Sequence, residues 1–251
     1  MASDTLPADQ AGPQDRTSRV LVWILVAVTI ACSLGMLAAT RSTYQQAAPI
    51  PQSMATANGT PVLTYADIVA GKSGFQKADL MDYGSLYGMG SAFGEDYTAE
   101  YLVQLAKEVQ NNLALERHGQ PFDAISAEQQ SGITTAMRTE LQGIDLSQPH
   151  VVLPDAVAKA IATLRERIGE SLRTDNFTKG YTGARSLDAD SARQTADFLL
   201  YSSLTTVARR PGKGYSWTSN WPSEPLVGNS PTPSTFTWTW ASFTMVFFAI
   251  G

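Results

Sequence analysis

Two histidines, one cysteine, a few acids in a glycine-rich stretch and scattered serines are the groups through which this chain could do chemistry. His118 stands beside Gly119 at a predicted helix end, where an imidazolium suits the helix dipole. His150 precedes a predicted strand. Neither has a His, Cys or Glu partner at the i+3 or i+4 spacing of a helical metal site, so both read as surface or capping residues. Cys32 is the single cysteine and lies in an apolar run, which rules out an intrachain disulfide and a cysteine-based metal site. A c-type heme cannot be attached either, because no C-x-x-C-H motif occurs. Glu95-Asp96 lies in the glycine-rich stretch ahead of a helix. It offers a cation site or, as the simpler reading, two negative charges that favour the helix N-terminus. Ser85, Ser91 and Ser216 have no evident base, so the sequence makes no case for a hydrolase. The glycine-rich stretch lacks the Gly-Lys-Ser/Thr ending of a phosphate loop. A net charge of −5 argues against a nucleic-acid partner.

The elements that must position these groups are mostly helical. Thr64 caps a short predicted helix over 65–70, with Ile68 and Val69 facing inward. Residues 79–97 form a loop punctuated by Gly84, Gly88, Gly90 and Gly94 and by Tyr83, Tyr87, Phe93 and Tyr97. A helix is predicted from Thr98, its cap, to Arg117, with Tyr101, Leu102, Leu105, Val109, Leu113 and Leu115 at helical spacing. A second spans 127–141 behind Ser126, and a short strand spans 151–153. A third helix covers 155–172, with Val157, Ile161, Leu164, Ile168 and Leu172 inward. A fourth covers 189–207, with Ser186 or Asp188 at its cap and Phe198, Leu199, Leu200 and Leu204 for packing. Residues 42–61 carry Pro49, Pro51 and Pro61 and read as extended.

Two segments call for a membrane. Val20–Ala39 is twenty residues without a charge, about 30 Å of helix and one bilayer core. A signal peptide is the rival reading, but its apolar stretch is usually only about 7–15 residues long. Arg16 and Arg19 precede the segment and Arg41 follows it, which places the N-terminus in the cytoplasm and the bulk of the chain outside. After Glu224 there is no charge up to Gly251. Residues 236–251 read as the start of a second membrane helix, with Trp238 and Trp240 at headgroup depth. The rival is a buried strand of a soluble domain. The organisation expected is a cytoplasmic tail over 1–18, a membrane helix over 19–41, an extracytoplasmic domain over 42–235 and a partial second membrane helix over 236–251. Such a chain is expected to be a fragment of a longer polytopic protein. Trp217, Trp221, Trp238 and Trp240 serve as interface anchors or as an aromatic wall for a quinol head. Glu224 is the nearby acid, serving the quinol or accepting backbone hydrogen bonds in its own turn.

Three stretches carry a family resemblance. The first is Gly84-Ser85-Leu86-Tyr87-Gly88-Met89-Gly90 followed by Asp96-Tyr97-Thr98-Ala99-Glu100-Tyr101-Leu102. The second runs from Phe198-Leu199-Leu200-Tyr201 to Ala208-Arg209-Arg210-Pro211-Gly212. The third is Ser219-Asn220-Trp221-Pro222-Ser223-Glu224-Pro225-Leu226-Val227-Gly228-Asn229. In this order they resemble the quinol-dependent nitric oxide reductases of the heme–copper oxidase superfamily. Two positions depart from the family pattern: Ala92 stands where a Tyr is usual, and Glu95 replaces a Pro. They leave room for a different calcium-adjacent contact or for a divergent branch such as the nitric oxide dismutases.

The resemblance implies a mainly α fold: a membrane helix, a helical cytochrome c-like domain without heme, and the start of a second membrane helix. It implies a parent enzyme that reduces two NO to N2O and water with electrons from quinol. Heme b, heme b3 and a non-heme iron are then expected on the parent's remaining catalytic helices, with a calcium bridging the heme propionates and none of these bound by this chain alone. No catalytic residue or metal ligand is assigned here. By the same resemblance Gly88 and Gly90 face the heme propionates and calcium, and Trp221, Glu224 and Asn229 lie at the quinol or membrane interface. The implied partners are membrane lipid, quinol and the catalytic helices, in the inner (cytoplasmic) membrane. The alternative from another class is a non-catalytic bitopic ectodomain that binds a partner.

Overall fold

In the computed structural model, residues 13–174 and 187–250 are described. They contain eight α-helices and five short strands. The chain forms two units, one ending at Ala47 and one beginning at Ala48.

The first unit is one helix, α1 (Pro13–Gln46). It begins before Ser18 and continues past Ala39, so six residues read as tail and several read as extended are helical. Its side chains from Ser18 onward are exposed, Trp23 at 72% and Met36 at 71%. By length and composition it is the one described helix able to cross a membrane. An apolar helix with no buried face has no protein partner within its own unit.

The second unit is built on helices α2 (Tyr65–Lys77), α4 (Tyr97–His118), α5 (Ala127–Gln142), α6 (Asp155–Arg173) and α7 (Ala189–Val207). All but α6 start at a side-chain cap; α6 follows Pro154, which makes no side-chain cap hydrogen bond. Thr64 accepts from the Asp67 N–H. Ser126 and Gln129 form a reciprocal capping box. Asp188 accepts from the Ser191 N–H, and this hydrogen bond holds its carboxyl below the usual range. Ser186, the other candidate, lies outside the described residues. At α4 the expected cap is displaced: Asp96, not Thr98, accepts from the Ala99 N–H. Thr98 is buried inside the first turn and its hydroxyl accepts from the Tyr87 N–H.

Helix α7 is the axis of this unit, and every residue from Thr195 to Val207 is buried. Helix α2 lies so close that a Cβ on Gly71 would fall 1.8 Å from the Gln194 carbonyl oxygen, and one on Gly74 2.2 Å from the Thr195 hydroxyl. Gly71 lies against the α7 backbone and Gly74 against the Thr195 side chain, so neither position has room for a Cβ. An aromatic cluster fills the space between α2, α4 and α7. Phe75 meets Tyr97 edge-on at 5.7 Å and Phe198 at 5.7 Å, and Tyr97 stacks on Tyr101 at 6.3 Å. Two inward assignments are corrected, since Val69 is 39% and Leu115 45% exposed. Each lies outside the stripe of its helix that its neighbours bury.

A small sheet closes one end. Strand β1 (Ser53–Ala55) pairs antiparallel with β2 (Pro61–Thr64) and parallel with β5 (His150–Val152). The Pro-rich stretch after α1 is therefore partly sheet. Arg165 of α6 ties this sheet to the core by donating to the Val62 carbonyl oxygen and to the buried Asp197 carboxylate of α7. The last element, α8 (Pro233–Ile250), is helical rather than a strand. Its described large apolar side chains are exposed, Phe247 at 75% and Phe248 at 84%.

Candidate functional site

The loop over 79–97 is more ordered than its glycines suggest. It holds one helical turn, α3 (Leu80–Tyr83), and a hairpin of β3 (Ser85–Leu86) and β4 (Met89–Gly90). The two hairpin residues, Tyr87 (φ 54°) and Gly88 (φ 74°), are both left-handed. That is the turn whose twist matches antiparallel strands. Gly90 takes φ 141°, and a Cβ there would lie 2.4 Å from the Gly84 carbonyl oxygen.

Asp96 organises this loop. One carboxylate oxygen accepts from the Ser85 hydroxyl at 2.7 Å and from the Gly88 N–H at 2.7 Å. The other accepts from the Ala99 N–H at 2.9 Å. Three hydrogen bonds commit it to cap and turn, which favours the helix-dipole reading over a cation site; Glu95 beside it is exposed. Tyr87 runs inward to α7, its hydroxyl 3.0 Å from that of Thr205. Burial pushes the Tyr87 phenol further up from its ordinary value.

The Pro- and Trp-rich segment meets this hairpin. A Cβ on Gly88 would lie 3.1 Å from the Trp221 ring, so the absent side chain is the seat of the indole. The Trp221–Pro222 peptide bond is cis. Beyond it, Glu224 and Asn229 exchange backbone hydrogen bonds in both directions, at 3.2 and 3.0 Å, and close a turn. The Glu224 carboxylate accepts from the Leu226 N–H at 2.8 Å, the structural role expected for it. Buried Asn229 donates to the Thr206 carbonyl oxygen at 2.9 Å and pins the turn to α7. Of the residues singled out in the sequence, Gly88 and Trp221 are therefore in contact, and Glu224 and Asn229 lie in the turn just beyond.

The supports of this site come from outside the motifs. Arg138 of α5 donates to the Leu226 and Pro225 carbonyl oxygens at 2.8 and 2.7 Å. Gln142 donates to the Val227 carbonyl oxygen at 3.0 Å and accepts from Arg209 at 2.6 Å. Three successive carbonyls are thus held by two side chains one helical turn apart. The only signal in the sequence is their i, i+4 spacing on α5.

The remaining candidates lie elsewhere. His118 contacts Gln129 at 3.3 Å and His150 contacts Ser53 at 2.9 Å, both at the surface. Cys32 is exposed on α1. Among the described residues no three His, Cys, Asp or Glu side chains come together as a metal-holding group. Trp217 and Trp221 are partly buried, and Arg210 lies 5.0 Å over the Trp217 ring. Trp240 is 71% exposed, whereas the Trp238 side chain lies outside the described residues. The geometry is that of a packed platform, a hairpin and an indole backed by hydrogen-bonded turns.

Fold and site together define a helical domain accompanied by an apolar helix able to cross a membrane. The family model for the NorB cytochrome c-like domain of nitric oxide reductase matches residues 51–223. The match covers more than half of the chain, and the chain belongs to that family. No curated protein matches it.

Proposed function

We propose that this chain is the N-terminal portion of a quinol-oxidising nitric oxide reductase, in which it caps the catalytic membrane part without carrying its metals. The observation that carries the reading is the family match over 51–223, which spans both the glycine hairpin and Trp221. In this reading α1 is the membrane anchor, the domain from about residue 42 to 235 lies outside the cytoplasm, and α8 enters the inner membrane. Gly88 and Gly90 face the catalytic part and its heme propionates and calcium. Trp221 supplies an aromatic wall near the quinol, Glu224 the acid, and Asn229 holds their turn in place. Heme b, heme b3 and the non-heme iron are supplied by helices that these residues do not contain.

The domain keeps a cytochrome c-like fold without the heme. Two features support this: no cysteine lies in the second unit to form a thioether, and aromatic side chains occupy the core between α2, α4 and α7. The exposed histidines, bound to Gln129 and Ser53, do not converge on a common point that could hold an iron.

The test is NO consumption by membranes carrying the full gene product, with a reduced quinol or reduced cytochrome c as donor. The reading expects two NO and one quinol to give one N2O, one water and one quinone, with cytochrome c inactive. No NO consumption would leave a non-catalytic ectodomain. A second reading compatible with Ala92 and Glu95 is dismutation of NO to N2 and O2, which quinol-independent oxygen release would support.

A further inference from the structure

From Phe198 to Ser223 the chain has no Asp or Glu, yet it carries Arg209, Arg210 and Lys213. In a protein of net charge −5 this is a local inversion of sign. The three cations lie on one short hairpin. Arg209 and Ser216 form an antiparallel bridge, and the Arg210 N–H donates to the Tyr215 carbonyl oxygen at 3.0 Å. The tip is a turn with Pro211 followed by Gly212 at φ 70°, closed by the Lys213 N–H donating to the Arg210 carbonyl oxygen at 2.9 Å. Pro211 to Gly214 are exposed, and nothing lies within 4 Å of where a Gly212 side chain would be. Among the described residues none of the three cations is within ion-pair distance of a carboxylate. Arg209 meets only the neutral Gln142 amide, and Arg210 lies over the Trp217 ring.

The hairpin is joined to the base of α8 by a short hydrogen-bonded path. Ser216 and Asn220 exchange two hydrogen bonds of 2.9 Å. The Ser219 carbonyl oxygen then accepts from the Thr232 N–H at 3.0 Å, and α8 starts at the next residue. An exposed, uncharged helix thus starts beside an unpaired cationic hairpin carrying an indole. Cations and indoles side by side suit the headgroup layer, where phosphates meet the edge of the hydrocarbon.

We infer that the Arg209–Ser216 hairpin is a binding site for anionic phospholipid headgroups, and that it sets the depth and rotation at which α8 enters the bilayer. This rests on the reading that α8 is a membrane helix. Each cation near an anionic surface favours the bound state roughly fivefold, and salt screens the effect.

The test uses the full chain in discs of phosphatidylcholine alone and of phosphatidylcholine with phosphatidylglycerol. Amide hydrogen exchange over residues 208–216 should slow about tenfold or more in the anionic discs at low salt. Raised salt, or the Arg210→Gln/Lys213→Gln variant, should return it to the neutral-disc rate. Lys213→Glu, at an exposed position with no side-chain partner among the described residues, should do the same without disturbing the fold. In parallel, quenching by brominated lipid, compared between the chain and its Trp240→Phe variant, reports whether α8 is in the bilayer. Quenching together with equal exchange in the two lipids would overturn the headgroup site and leave the α8 reading standing. Slow exchange in both lipids, unchanged by the variants, would mean that protein covers the hairpin and would also overturn the site. Absence of quenching would overturn the α8 reading itself.

Discussion

Helices α7 and α8 are nearly equal in length, and their burial inverts the usual expectation. The buried one is the more polar. Thr195, Asp197, Ser202, Ser203, Thr205 and Thr206 are all enclosed, whereas α8 exposes Phe243, Met245, Phe247 and Phe248. The polar helix can be enclosed because its hydroxyls are satisfied within it, although one Asp197 carboxylate oxygen has no hydrogen-bond partner. Ser202, Ser203, Thr205 and Thr206 donate to carbonyls three or four residues earlier, at 2.6–3.1 Å. Arg165 answers Asp197. The apolar helix has no such internal remedy, because exposed hydrocarbon is satisfied only by another apolar phase. Polarity alone is thus a poor guide to burial; what separates the two helices is whether their groups find partners within the domain.

Matched substitutions in α7 and α8 should act unequally on the stability of the domain. Leu200→Asp places an unanswered charge in α7, where Leu200 is 0% exposed, and should cost about 4 kcal/mol or more in denaturant unfolding. Arg165→Met strands the Asp197 carboxylate and should cost about 3–5 kcal/mol. The same pair should make stability depend on pH. Burial outweighs Arg165 and pushes the Asp197 carboxyl up to about 6. The folded state then holds a proton that the unfolded chain releases near pH 4. The contribution of Asp197 to stability should be greatest below about pH 4 and fall by roughly 3 kcal/mol as pH rises through 6. Asp197→Asn should flatten this slope, and Arg165→Met should move it to higher pH.

Two smaller effects follow. Gly88→Ala meets both the Trp221 ring and a positive φ, and should cost roughly 1–2 kcal/mol. Trp221→Ala in the same chain should recover only the steric part, which a double-mutant cycle would separate. Phe247→Asp on α8 should leave the domain's unfolding within about 0.5 kcal/mol. It should weaken retention of the chain in lipid vesicles, measured by flotation. Loss of domain stability instead would mean that α8 packs on protein.

The helices of the second unit are legible in the sequence because their caps and apolar spacing are local. α5 and α7 begin where Ser126 and Asp188 cap them, and α6 begins at the expected Asp155 without a side-chain cap. The α4 cap lies two residues from the expected one because Asp96 and Thr98 both offer side-chain oxygens, and only the loop geometry decides between them. The β1–β5 pairing is hidden, since nothing near Ser53 points to a partner at His150. At the site, the residues can be named from the sequence but not joined. Gly88 and Trp221 meet through the fold of α4 and α7 between them, and the Arg138 and Gln142 clamp carries no motif. The Arg165–Asp197 pair is equally silent, because each residue alone reads as a solvated charge.

The glycine face of α2 has a consequence for how the domain is made. Gly71 and Gly74 await α7, and Asp67 awaits Gln194, 127 residues further along. At ribosomal speeds of about 5–20 residues per second, the first helix of the domain spends on the order of ten seconds without its partner. Strand β1 waits similarly for β5. The earliest segments to leave the ribosome are the last to be locked, so the newborn domain stays open until α7 arrives to close it.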